Sequence, residues 1–132
     1  MIGIVVVTHG SLAEELVKAA QTIAGEMPAT VAVSIGWADD MSAAREAIVQ
    51  ALSVVGKEQG ALILTDMFGG TPTNVSLSLL APGVEIVTGV NLPMLVKLST
   101  QRTGNLAEVA RLVRDKGRES IVVPSELLGG PA

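Results

Sequence analysis

Cysteine and tyrosine are absent from this 132-residue sequence, and the aromatic side chains that remain are Trp37 and Phe68. Without cysteine, the chain has no disulfide, no thiol nucleophile and no thiolate ligand for a metal. With two aromatic residues, the core has to be aliphatic, and a base-stacking surface for nucleic acid is not supported. The net charge of −4 also argues against binding to nucleic acid or to an anionic membrane.

Charged residues are scarce as well, at 17%, whereas hydrophobic residues make up 48%. This composition argues against disorder and predicts a single domain over residues 1–132, with a loose tail at about 125–132. The first apolar run has no basic leader and is too short to span a bilayer, so we expect a cytoplasmic protein. The low charge is also compatible with an apolar surface buried between subunits.

Strands alternate with helices along the chain. Apolar runs rich in β-branched residues predict strands at 2–8, 30–36, 61–66 and 84–88, and a short last strand at 121–123. The segments between them mostly show helical spacing. The predicted fold is therefore α/β with an open, mainly parallel sheet.

Capping residues predict where the helices begin and end. Ser11 with Glu14 predicts a capping box for the first helix, and Thr71 is the predicted N-cap of the third, with Pro72 at its first position. Three further boundaries follow in the same way: N-caps at Asn91 and Asn105, and a helix end at Gly117.

The single histidine, His9, lies where the first strand ends and a helix begins. Open α/β sheets bind ligands beyond the carboxyl ends of their strands, and Asp66 holds the matching position after the third strand. If these strands are neighbours, the imidazole and the carboxylate face each other. The plain alternatives are a histidine that only satisfies local hydrogen bonds and a turn-forming aspartate.

The sequence lacks the residues that several kinds of chemistry require. One histidine and one aspartate make an incomplete metal site, no G-x-S-x-G elbow is present, and no Gly-Lys-Ser/Thr follows the glycine pair. We therefore expect neither a metal nor a cofactor. What remains is a histidine that attacks a phosphoryl group through one nitrogen while the other donates to a carboxylate. Donors for the phosphoryl oxygens are predicted at two helix starts: the amides of Gly10 and Ser11, and the amides or hydroxyl of Gly70 and Thr71.

Three segments together resemble the mannose-family IIA domain of the bacterial phosphoenolpyruvate-dependent sugar phosphotransferase system. They are the strand with Thr8-His9-Gly10 before a helix, residues 66–74 with the pattern D-x-aromatic-GG-[ST]-P-x-N, and residues 89–94 with the pattern G-V-N-[IL]-P-M. Phe68 stands where some relatives carry tryptophan. The resemblance covers nearly the whole chain in order and spacing.

The resemblance implies a cytoplasmic phosphocarrier with a phosphohistidine. His9 matches the histidine that takes the phosphoryl group from HPr and passes it to a IIB protein or domain, and Asp66 matches its hydrogen-bond partner. The active-site loop is matched by Phe68, Gly69, Gly70 and Thr71. A four-stranded parallel sheet flanked by helices is implied, in a homodimer where residues 121–123 add antiparallel to the partner's sheet. Since no IIB region follows Ala132, we expect a stand-alone IIA that meets the membrane only through IIC and IID partners.

Alternative functions stay open at this point. They are a regulatory phosphoprotein of an incomplete phosphotransferase system, the phosphotransfer subunit of dihydroxyacetone kinase, and a non-catalytic anion-binding domain. An apolar rim for partner proteins is predicted around the site, formed by Met67, Phe68, Leu92, Pro93 and Met94. For Leu92 and Met94, a position in the hydrophobic core is an equally open alternative. Trp37 either belongs to this rim or is ordinary packing, and we expect packing.

Overall fold

The structure is a computed structural model that describes residues 1–56 and 58–129. Four strands alternate with helices, and further helices complete the chain. The elements are β1 (Gly3–His9), α1 (Leu12–Ala24), β2 (Thr30–Ile35), α2 (Met41–Val55), β3 (Ala61–Thr65), α3 (Gly70–Leu77), β4 (Val84–Thr88), α4 (Leu92–Leu98), α5 (Leu106–Glu119) and α6 (Pro124–Leu127). Among the described residues, no helix has both the length and the apolar character needed to cross a bilayer.

The sheet is parallel throughout and has the strand order β2-β1-β3-β4. The chain runs from β1 outward to β2 and then returns to the other side of β1 to form β3. In the register of this pair, Val7 lies opposite Thr65. The topological switch therefore lies between the carboxyl ends of β1 and β3, where open α/β sheets bind ligands. The predicted α/β fold with a parallel four-stranded sheet is confirmed.

Each face of the sheet carries its own aliphatic core, because alternate residues of a strand point to opposite sides. In β1, Ile4 and Val6 pack with side chains of α1, α4 and α5, whereas Val5 and Val7 pack with side chains of α2 and α3. All four are completely buried. Because both faces of the central strands are covered, a ligand reaches these strands at their ends.

The end of α5 differs from the prediction. The helix continues past Gly117 to Glu119, and Gly117 is buried. A Cβ at this position would lie 2.7 Å from Sδ of Met94. Gly117 is therefore needed for the close packing of α5 on α4, and it does not end the helix. Asn91 and Asn105 are confirmed as N-caps, since their side chains each accept a hydrogen bond from the amide three residues further on.

The carboxyl-terminal segment forms no strand within the described part of the chain. Ile121, Val122 and Val123 are 78%, 51% and 51% exposed. The following α6 is a single helical turn in the segment predicted as a tail, and residues 130–132 of that tail lie outside the described residues. The chain therefore presents three adjacent apolar side chains at its surface.

Arg102 ties the amino-terminal end of the sheet together. Its guanidinium donates to the carbonyl oxygens of Ile2, Pro28 and Ala29 at 2.5 to 3.0 Å. The residue is buried, and desolvation by this burial lowers the pKa of its guanidinium. These hydrogen bonds hold the start of β1 against the loop that precedes β2, at the edge opposite to His9.

Candidate active site

His9 and Asp66 meet at the carboxyl edge of the sheet. His9 is the last residue of β1, and Asp66 directly follows β3. One carboxylate oxygen, Oδ2 of Asp66, lies 3.0 Å from the backbone nitrogen of His9 and 2.8 Å from its Nδ1. The side chains are 22% and 14% exposed, so the pair is shielded but reachable. The structure thus brings together the two side chains that the sequence singled out.

The contact decides which imidazole nitrogen is free. An ionised carboxylate only accepts hydrogen bonds, so Nδ1 of His9 is the donor, and in the neutral ring Nε2 carries the lone pair. Oδ1 of Asp66 is buried and has no hydrogen-bond partner within the described residues. The hydrogen bonds that the Asp66 side chain makes there therefore all go to His9, which fixes the tautomer and the orientation of the ring.

The backbone of Gly70 lies beside Nε2 of His9. A Cβ on Gly70 would lie 3.1 Å from Nε2, and both Gly69 and Gly70 have positive φ angles, of 89° and 81°. In the described chain, no backbone or side-chain acceptor takes the N–H of Gly69, Gly70 or Thr71. Amides without an acceptor at a helix start, next to an imidazole nitrogen that carries a lone pair, form a cradle suited to an anion.

The start of α3 differs from the prediction. Thr71 is not the N-cap; the helix begins at Gly70 with Gly69 before it, and Pro72 is its third residue. Consecutive glycines with positive φ let the chain turn into the helix earlier than a threonine cap would. Pro72 is still tolerated, because the first-turn amides have no partner within the helix.

Two buried hydroxyl groups hold the loop after Asp66 in place. The Oγ1 atoms of Thr65 and Thr73 lie 2.7 Å apart, and Thr73 donates to the carbonyl oxygen of Met67 at 2.5 Å. Since Thr73 donates its proton to Met67, Thr65 is the donor in the first contact. These two hydrogen bonds link the end of β3 to the first turn of α3. The sequence alone does not single out either threonine, because threonine is ordinary in both elements.

The start of α1 also differs from the prediction. The side chain of Ser11 makes no capping hydrogen bond, and Oγ1 of Thr8 accepts from the amide of Ala13 at 2.7 Å instead. Thr8 is buried beneath the helix start, so its hydroxyl needs a partner there.

The amide of Gly10 donates to the carbonyl oxygen of Ile35 at 2.9 Å, so it is not the free phosphoryl donor that was predicted. Ser11 is exposed.

Trp37 belongs to the site, and its prediction as ordinary packing is wrong. The residue is 83% exposed, and its ring stacks on the imidazole of His9 with centroids 5.2 Å apart and planes at 21°. In the strand register His9 lies opposite Ile35, so a residue shortly past the end of β2 reaches over it. An aromatic residue just after a strand, in a chain with two aromatics, was the signal that pointed here.

The apolar rim is present only in part. Met67 and Phe68 are exposed, at 54% and 77%, in the loop between Asp66 and α3. Leu92 and Pro93 are half-buried. Met94 is buried in the core, which was the alternative for this residue. The exposed rim therefore consists mainly of Met67, Phe68 and Trp37.

Most of the chain matches the model of a known protein family. The family model of the phosphotransferase system (PTS) fructose IIA component, EIIA-man, matches residues 3–114. The PTS fructose-specific EIIA component of Bacillus subtilis strain 168 is 30% identical over 131 residues, which are 97% of this chain and 90% of that protein. The PTS mannose-specific EIIAB component of Escherichia coli strain K12 is 31% identical over 129 residues, 91% of this chain; the chain spans 38% of the length of that relative.

A solved structure shows the same fold. The mannose/sorbose-specific IIA subunit of the phosphotransferase system from Enterococcus faecalis superimposes with a TM-score of 0.85 and 27% sequence identity. The superposition covers 92% of this chain and 93% of that chain. The likeness therefore extends over nearly the full length of both chains.

Proposed function

The chain belongs to the EIIA family of the sugar phosphotransferase system, and we propose that it is a phosphocarrier in which His9 accepts a phosphoryl group from HPr and passes it to a IIB protein during sugar uptake. The 2.8 Å hydrogen bond between Nδ1 of His9 and Oδ2 of Asp66 carries the proposal, because it leaves Nε2 free as the nucleophile. This role places the protein in the cytoplasm. The family gives no support to the dihydroxyacetone kinase alternative.

The chemistry is a two-step phosphoryl transfer. In the first step the lone pair of Nε2 attacks phosphorus, the P–Nε2 bond forms, and the leaving atom of the donor keeps the electron pair of the bond that breaks. Nδ1 of His9 keeps its proton, so the ring becomes positively charged, and the carboxylate of Asp66 at 2.8 Å stabilises that charge. In the second step the acceptor attacks the same phosphorus, and Nε2 takes back its electron pair.

The phosphoryl oxygens are bound by the start of α3. The free amides of Gly69, Gly70 and Thr71 lie at the positive end of this helix, and Gly70 is next to Nε2 of His9. The exposed Ser11 at the start of α1 is a second donor. Gly10 contributes through the fold of the backbone, because its own amide is occupied. Phe68 forms the apolar tip of the loop, where a partner protein meets it.

Phosphorylation from the natural donor chain tests the proposal. The protein is incubated with phosphoenolpyruvate, enzyme I and HPr, and its mass is measured. We expect one added phosphoryl group that is labile in acid and stable in alkali, as a P–N bond is, and none in His9→Ala. An unmodified wild-type protein beside an active HPr, or a modified His9→Ala, would overturn the proposal.

Discharge of the phosphoprotein separates transport from regulation. The purified phosphoprotein is mixed with IIB proteins, and the label on each protein is followed. Transfer of the label to a IIB protein supports the transport role. A stable phosphoprotein that no IIB protein discharges would favour the regulatory alternative.

We further infer a homodimer in which residues 121–123 pair with the partner's sheet. The strand β4 lies at the edge of the sheet, and one side of its backbone has no neighbouring strand among the described residues. Ile121, Val122 and Val123 are β-branched, adjacent and exposed. Exposed edge strands bind extended segments of this composition, and an apolar segment gains stability when another subunit covers it.

A further inference from the structure

We propose that Trp37 is a positioning residue for the phosphoryl transfer, whose indole holds one face of the His9 imidazole and stabilises the positive charge of the ring while the P–N bond exists. The inference rests on the phosphocarrier function proposed above. It starts from the stacked geometry, with ring centroids 5.2 Å apart and planes at 21°.

Burial does not explain the position of Trp37. A side chain that is 83% exposed gains little from the removal of its surface from water, and a tryptophan left this open is unusual, because tryptophan is highly buried on average. Its ring contact is with the imidazole of His9. The position is therefore better explained by an effect on that ring than by the stability of the fold.

The stack complements the other contacts of the imidazole. Asp66 meets the edge at Nδ1, and Gly70 lies near the edge at Nε2, whereas the indole covers a face. A covered face opposes rotation of the ring about its Cβ–Cγ bond, so Nε2 stays directed at the cradle of amides. The indole face attracts a cation whose centre lies within about 6 Å. Trp37 supplies no proton and forms no bond in the transfer.

The turn that carries Trp37 is closed by hydrogen bonds. Oδ2 of Asp39 accepts from the amide of Gly36 at 2.7 Å, and the amide of Asp39 donates back to the carbonyl oxygen of Gly36 at 3.1 Å. Asp40 then caps α2 by accepting from the amide of Ala43 at 2.7 Å. The indole thus stands on a turn that is held both within itself and at the following helix, as a positioning residue requires.

Single-turnover kinetics test the proposal with three substitutions. Trp37→Phe keeps an aromatic face, Trp37→Leu keeps apolar bulk without one, and Trp37→Ala removes both. Val54→Ala, at an exposed apolar position near the end of α2, is the matched control. The rate of transfer from phosphorylated HPr is measured at increasing HPr concentration, and circular dichroism checks the fold of each variant.

We expect Trp37→Leu and Trp37→Ala to lower the rate at saturating HPr by roughly two- to thirtyfold, the range of a cation–π contact. Trp37→Phe should keep most of the rate, and Val54→Ala all of it. An unchanged saturated rate in Trp37→Leu, or a change confined to the HPr concentration at half-saturation, would overturn the inference and leave the phosphocarrier function standing. A wild-type protein that is not phosphorylated at all would instead remove the function on which the inference rests.

Tryptophan fluorescence gives a second readout on the unaltered protein. Trp37 is the only tryptophan and no tyrosine is present, so emission reports on this one ring. Phosphorylation should change the emission of the wild-type protein and leave that of His9→Gln constant under the same treatment. Constant emission from a protein that mass spectrometry shows to be fully phosphorylated would contradict the stack.

Discussion

Gly70 and His9 lie so close that a side chain at position 70 has no room. A Cβ there would come within 3.0 Å of Cε1 and 3.1 Å of Nε2 of the imidazole. The same closeness places the backbone of Gly70, whose amide has no acceptor among the described residues, beside the nitrogen that we assign as the nucleophile. The glycine pair of the loop therefore has two separate tasks, the turn into α3 and the approach to the histidine.

Gly70→Ala should lower the rate of phosphorylation by roughly 100-fold, because the methyl group displaces Nε2 of His9 from its aligned position. The rate of transfer from phosphorylated HPr measures the effect. Gly69→Ala is the matched control, since its φ of 89° imposes the same kind of backbone strain while a Cβ there meets no atom within 4 Å. Equal losses in both variants would assign the effect to strain and not to the contact with His9.

Asp66→Asn should slow phosphorylation by roughly 10²- to 10⁴-fold, because an amide neither fixes the Nδ1–H tautomer nor stabilises the charged ring as a carboxylate does. The transfer rate measures the effect, and circular dichroism reports whether the fold is kept. Asp115→Asn, a half-exposed carboxylate on α5, should leave the rate unchanged. If Asp66→Asn also kept the full rate, Asp66 would be a turn residue and nothing more.

Thr73→Val should destabilise the protein by about 1–3 kcal/mol, because it leaves the carbonyl oxygen of Met67 and the hydroxyl of Thr65 without their buried partner. Denaturant unfolding measures the free energy of unfolding for Thr73→Val, Thr65→Val and the double variant. Thr22→Val, on the exposed side of α1, is the control. The two losses should not add; additivity to within about 0.5 kcal/mol would show that the hydroxyls are not coupled.

Ile121→Asp combined with Val123→Asp should convert the proposed homodimer into a monomer, because carboxylates at these positions oppose burial in an interface. Size-exclusion chromatography with light scattering gives the mass of the particle. Val54→Asp places the same charge at another exposed apolar position and should leave the dimer intact. A wild-type protein that is monomeric at high concentration would contradict the exchange of residues 121–123.

Helix ends show where local prediction succeeds. Asn91 and Asn105 are predicted correctly as N-caps, because each side chain and the amide it binds lie only three residues apart. The predictions of Ser11 and Thr71 as N-caps are wrong, because the buried Thr8 of β1 caps α1 and two glycines start α3. Gly117 predicts a helix end from the sequence, although glycine is required there because Met94 on a different helix packs against it.

The sequence by itself determined the alternation of strands and helices, the family, and the two residues at the centre of the site. Apolar periodicity is local, and the motifs around His9 and Asp66 combine into a specific pattern. Only the tertiary structure decided that Nε2 is the free nitrogen, that Gly70 borders it, and that Trp37 covers the ring. These relations join residues far apart in the chain, 57 positions in the case of His9 and Asp66, and they exist only because the strand order makes β1 the neighbour of both β2 and β3.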